Sequence, residues 1–195
     1  MEINKSKTCC CLGQWSMRDS HLVRKIAVAA DEAVRAGVDT FLCIGAGRYD
    51  EICARAVRDL QQRQKQPVRC LLVAADPDTP RFDPALHDGV IALGGDPHDP
   101  HGLCRRLRYM VDHAGRAIAH VYMGGTLLAS AMDYAEEQHL DIRYLTLTFL
   151  VKRRTLDKIR EIRGRQKQAD PPPSPGTGSC TSAPIPLNDT PSGRL

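Results

Sequence analysis

The chain predicts an α/β fold, a Rossmann-like three-layer sandwich built on a mostly parallel sheet. Three observations carry that expectation. Short apolar runs recur along the sequence, apolar at successive positions as strands covered on both faces must be. Between them lie segments whose apolar residues return at helical spacing. Glycine-rich turns stand where runs give way to helical segments, as strand–helix units with right-handed crossovers require.

Lys7 to Leu12 (KTCCCL) is the first strand. Asp19 or Ser20 then caps a helix with Leu22, Ile26, Ala29, Ala30 and Ala33 in one stripe, ending at Gly37. Thr40 to Ile44 (TFLCI) is the second strand, followed by a helix from about Asp50 to Gln64 with Ile52, Ala56 and Leu60 on one face. Val68 to Ala74 is the third strand, and Val90 to Leu93 a short fourth after a Pro- and Asp-rich connection. Arg105 onward repeats Leu107, Met110, Val111 and Ala114 at helical spacing. Ala117 to Tyr122 (AIAHVY), bounded by glycines, reads as a central strand. A helix over Thr126–His139 turns Leu128, Ala131, Met132 and Ala135 inward and Glu136 and Glu137 outward; Ile142 to Leu147 closes the sheet.

From Leu150 the composition changes. Residues 1–149 form the expected domain, 150–168 a basic helix with a thin stripe of Leu156, Ile159 and Ile162, and 169–195 a Pro/Ser/Gly-rich tail expected to be disordered. The net charge of +4 belongs to the basic segment, where eight Lys or Arg between Lys152 and Lys167 face only Asp157 and Glu161. Such a segment fits an acidic partner, nucleic acid or a membrane surface, or a solvated helix packed by one stripe. No apolar run approaches the roughly 20 residues of a membrane span, and the N-terminus lacks a secretory apolar core. The expected location is cytoplasmic, and a homo-oligomer is a candidate assembly. The eight cysteines contain no CxxC pair, and Cys9, Cys10 and Cys11 alternate between strand faces, so buried reduced thiols are expected rather than disulfides or a metal site.

Candidate ligand contacts fall on the loops after strands. Gly124, Gly125 and Thr126 precede a helix, where backbone N–H groups and the helix N-terminus favour an anion; a structural turn capped by Thr126 is the alternative. Gly45 and Gly47 occupy a similar loop, with Arg48 available for a phosphate and Asp50 for a ribose hydroxyl or a cap. Gly13, Gln14 and Trp15 end the first strand, and Trp15 either stacks on a base or roofs the core. Arg106 and Asp112 flank the next helix; for Asp112 the alternatives are a ligand-site carboxylate and an exposed pair with Arg108. His98 and His101 lie in a Pro-rich loop that reads as solvated, and His120 reads as a hydrogen-bonded core residue. No metal site, catalytic set or identifiable cofactor follows from these residues.

KTCC, the loop closing at Asp50, RYMVDHAGRAIAHVY and GGT with a later YA together resemble the YpsA-like branch of the SLOG superfamily, over roughly residues 6–148. That superfamily includes the DNA-processing protein DprA and the LOG phosphoribohydrolases. The resemblance implies a Rossmann-like fold that binds a nucleotide or nucleotide-derived ligand at the strand ends, without catalysis, as a sensor or regulatory domain. Gly13 matches a Gly-His-Arg-Pro loop whose other residues are here Gln14, Trp15 and Ser16. Ala46 and Asp50 match the second loop, Arg106 an arginine before the Met110-Val111-Asp112 match, and Gly124 to Thr126 the Gly-Gly loop in type. Leu107 stands where the family has asparagine, so the departures fall on polar ligand-loop residues. The phosphoribohydrolases carry a glutamate after the Gly-Gly loop; Leu127 to Ser130 offer none, which argues against that hydrolysis. Two alternatives remain: a nucleotide N-glycosidase or phosphohydrolase using Asp50 or Asp112, and an interaction module with a vestigial pocket.

Overall fold

In the computed structural model, residues 2–14, 21–63, 67–96, 98–121 and 126–146 are described. Six parallel strands run β1 (Thr8–Gly13), β2 (Thr40–Cys43), β3 (Arg69–Ala74), β4 (Gly89–Ala92), β5 (Arg116–His120) and β6 (Asp141–Tyr144). They lie in the spatial order β4-β3-β2-β1-β5-β6. Four helices connect them: α1 (His21–Arg35), α2 (Arg48–Arg63), α3 (Pro100–Asp112) and α4 (Leu127–Glu137). The Rossmann-like α/β fold expected from the sequence is therefore present, with every strand pair parallel.

The central strands form where they do because both of their faces are buried. Every residue of β1 and β2 is buried, and the two sides of the sheet pack against different helices. Cys9, Cys11, Phe41 and Cys43 face α1 and α2, meeting Leu22, Ile26, Ile52 and Leu60. Cys10, Leu12, Leu42 and Leu71 face α3 and α4, meeting Leu107, Met110, Val111 and Met132. The period of two thus distributes the three adjacent cysteines to opposite faces. Burial raises the thiol pKa values of Cys9 and Cys10, the Cys53 hydrogen bond and burial raise that of Cys11, and all seven cysteines among the described residues are free.

The strand order places the switch point at β1. From β1 the chain winds outward through β2, β3 and β4, then α3 returns it across the sheet to β5 on the other side of β1. Gln14 continues the β1–β5 contact, its backbone N–H donating to the His120 carbonyl at 3.0 Å. Ligands in such sheets bind at the carboxyl ends of the strands, beside this point.

Helix boundaries differ from the sequence reading for local reasons. The α2 helix starts at Arg48, before Asp50, because the Gly47 carbonyl already accepts from the Glu51 N–H at 3.2 Å. The α3 helix starts at Pro100 and not near Arg105: Asp99 caps it, accepting from the His101 and Gly102 N–H groups, and proline suits the first position. Glu136 is only partly outward, since it accepts a hydrogen bond from the Tyr144 hydroxyl. The expected cap at Asp19 or Ser20, the basic segment 150–168 and the tail 169–195 lie outside the described residues. No helix among the described residues is long and apolar enough to cross a membrane.

Candidate functional site

A cleft of about 380 Å³ opens at the carboxyl edge, lined by Ala46, Arg81, His98, Asp99, Pro100, Leu103, Arg106 and Leu127. Three connections and two helices build it. Ala46 comes from the loop after β2, Arg81 from the connection after β3, His98 and Asp99 from the connection before α3, Pro100, Leu103 and Arg106 from α3, and Leu127 from the first residue of α4. Its volume falls within the range of small-molecule sites.

Arg106 dominates its electrostatics. It stands on the buried face of α3 beside Leu107, with only 4% of its surface exposed. Its Nε–H has no hydrogen-bond partner within the protein. Burial lowers the Arg106 pKa, and the neighbouring charges of Arg81 and Arg105 lower it further. A guanidinium stripped of water, beside two others, is costly until an anion satisfies it. Asp99, the carboxylate lining the cleft, is occupied in capping α3 at 2.9 Å and 3.2 Å. Arg105 turns instead toward the Gly94 carbonyl.

The loop after β2 is held from beneath by Asp50. Its two carboxylate oxygens accept from the Ile44 N–H at 3.3 Å and the Ala46 N–H at 3.1 Å. Asp50 is buried, and that burial pushes its pKa up to about 7 against the loop N–H groups and Arg81, which favour the charged form. It lies inside α2, which begins at Arg48, so it is not the cap of that helix; both of its oxygens serve loop amides. Gly45, at φ +62°, lies under Leu72 and Arg81; a Cβ there would come within 2.8 Å of Leu72 Cδ1. Gly47 ends the loop, also at positive φ.

The remaining sequence candidates separate. Gly13 is required by close approach, since a Cβ would sit inside the Tyr49 ring. That ring stacks on His120 at 6.1 Å and its hydroxyl donates to the Ile118 carbonyl at 2.9 Å, so His120 and Tyr49 pack the ends of β1 and β5. Gln14 is buried at the same place. Thr126 caps α4, its Oγ1 accepting from the Ala129 N–H at 3.1 Å, next to the cleft residue Leu127. Arg48 goes elsewhere: it lines a groove between α1 and α2 on the other face of the sheet. Asp112 is also displaced from the cleft. It ends α3 at the amino edge, where the following Gly115 N–H donates to the Thr8 carbonyl, and accepts from the Tyr134 hydroxyl at 2.7 Å. Arg108 lies over the Tyr134 ring at 5.1 Å instead of pairing with Asp112. Trp15, Gly124 and Gly125 lie outside the described residues.

Sequence reasoning missed Arg81. It sits in TPRFDP, a segment with no periodicity and no glycine signal; only the stem packed over Gly45 and the charge near Asp50 and Arg106 bring it to the site. Among the described residues no three His, Cys, Asp or Glu side chains converge as a metal site.

No protein-family model matches the chain, and no curated protein does. Among solved structures it is similar to the X-ray structure of DNA processing protein A (DprA) from Streptococcus pneumoniae, with 14% identity and a TM-score of 0.51. The match covers 71% of this chain and 50% of that one, so the chain spans about half the length of the structure it resembles. The likeness is one of fold: a Rossmann-like α/β sandwich shared at low sequence identity.

Proposed function

We propose that the chain is a binding domain for a phosphate-bearing, nucleotide-derived ligand, acting as a sensor or regulatory domain in the manner of the YpsA-like branch of the SLOG superfamily. The observation that carries this reading is Arg106: a guanidinium nearly excluded from water, with an unpartnered Nε–H, lining a cleft at the carboxyl edge of the sheet. A phosphate supplies the missing partner, and charge-assisted bonds of this kind contribute about 1.5–3 kcal/mol each. Arg81 adds a second cation, and Leu103 and Leu127 offer apolar surface for a base or sugar face. The Gly124–Thr126 segment, Gln14 and Trp15 complete the ligand contacts on this reading. The fold likeness to a DNA processing protein agrees with a nucleotide-related ligand.

Binding is favoured over catalysis by the placement of the carboxylates. Asp50 gives both oxygens to loop amides, and Asp112 bonds Tyr134 at the amino edge. Neither is positioned to act as an acid or base on a ligand in the cleft. Residues 1–149 would form the ligand domain, and the basic segment 150–168 would engage an acidic partner or nucleic acid.

Thermal denaturation with nucleoside monophosphates and ADP-ribose tests the reading. A true ligand at a hundred times its Kd adds about 2.7 kcal/mol, and Arg106→Met cuts that gain by about half or more. Absence of stabilisation by every compound would sink the proposal.

A further inference from the structure

Asp50 is a buried carboxylate beneath one wall of a cleft whose other wall carries cations. Its Oδ2 holds the Ala46 N–H, and Ala46 itself lines the cleft. Arg81 also lines the cleft; a Cβ on Gly45 would stand 3.4 Å from Arg81 Cβ, so the stem of this arginine lies over the loop that Asp50 holds. The groups bearing on Asp50 come from every element around it. Arg81 approaches from the connection after β3, Cys43 from β2, Cys70 from β3, and Tyr49 and Cys53 from α2. Hydrogen bonds between neighbouring thiols, together with burial, keep Cys43 and Cys70 protonated, and burial does so for Tyr49 and Cys53, so Arg81 is the counter-charge that steadies the carboxylate.

Arg81 therefore bears on a resident anion and also lines the cleft that an incoming one enters. An arriving dianion draws on the same guanidinium and repels the carboxylate under the loop. Resting on the anion-binding reading above, we propose that Asp50 takes up a proton from solvent when a phosphoryl or other dianionic oxyanion settles beside Arg81 and Arg106, making the cleft a pH-dependent receptor for dianions. A neutral carboxyl still accepts one loop N–H through its carbonyl oxygen, so the loop stays held while Arg81 turns wholly to the ligand. Burial already raises the Asp50 pKa to about 7, so a modest further push suffices. By linkage, binding that favours the protonated form must itself strengthen as protons become available.

Inorganic sulfate on the full chain tests this, because sulfate stays dianionic throughout the range and contributes no titration of its own. Calorimetry at constant ionic strength should show affinity rising about tenfold between about pH 8.5 and about pH 5.5. Near pH 7 the heats in two buffers of different ionisation enthalpy should reveal net proton uptake, a readout that needs no substitution. Asp50→Asn should flatten the pH profile. His98 lines the same cleft, so His98→Gln is the control and should keep most of the dependence. A flat wild-type profile without proton uptake overturns the proposal alone, as does a dependence that follows His98 and survives Asp50→Asn. Failure of sulfate to bind at any pH overturns the anion reading along with it.

Discussion

The two ends of α3 lie at opposite edges of one sheet and have opposite chemistry. Arg106, at the midpoint of the helix, lines the carboxyl-edge cleft, is buried and lacks a partner for Nε. Asp112, at the amino edge, is exposed and bonded to Tyr134, which Arg108 covers in turn. The same contrast runs along both edges. At the amino edge the chain closes on itself through Gly115 to Thr8 and Asp141 to Gly115. At the carboxyl edge three arginines gather, and Asp99 is already occupied as a cap. A charged residue points to a ligand only where its own protein leaves it unsatisfied, and on this sheet that is the carboxyl edge.

The largest expected effect tests how tightly that edge is built. Gly13→Ala drives a methyl group into the Tyr49 ring, and because Tyr49 is fully buried the ring has nowhere to go. Urea denaturation should show a loss of about 3 kcal/mol, the upper part of the range for overpacking. Next, Arg106→Met should weaken ADP-ribose or nucleotide binding at least about tenfold without lowering stability, since it removes an unpaired buried charge. A large stability loss in that variant would mean that Arg106 is partnered in solution, and the contrast with Asp112 would collapse.

A third effect is in pH. The folded pKa of Asp50 is raised from 3.8 to about 7, so the native state binds the proton more tightly than the unfolded chain. Its contribution to stability is complete below the unfolded value and is lost as pH rises through about 7. Asp50→Asn should therefore remove a decline in stability between these limits, measured by denaturant midpoints across pH. The smallest effect belongs to the other end of α3. Asp112→Asn should leave ligand affinity unchanged, and a marked loss would place the amino edge in the site after all.

The order of six strands and four helices was legible because parallel central strands are buried on both faces, leaving unbroken apolar runs such as TFLCI and VRCLLVA. Helix starts were less so. The helix before β5 begins at a capping Asp99 and Pro100, several residues ahead of where its apolar stripe becomes visible. Within the site, Arg106 could be singled out, but its partner state could not, because pairing depends on residues distant in sequence. Arg48 and Asp112 share the residue types and spacing of ligand contacts, yet helix direction sends one to the opposite face and the other to the opposite edge. Arg81 left no local signal, since its role arises only from where the β3–β4 connection crosses the glycine loop. Tyr49 carries no signal in the sequence of its part at this edge, although its ring is what demands Gly13.

The central claim is that the unpartnered Arg106 Nε–H receives an anionic ligand, and nuclear magnetic resonance of the arginine side chains addresses it directly. On titration of the full chain with ADP-ribose, the Arg106 Nε–H resonance should shift progressively to a saturating value and become slower to exchange with water. A resonance that neither shifts nor gains protection, while other signals report binding or while none do, would contradict the account.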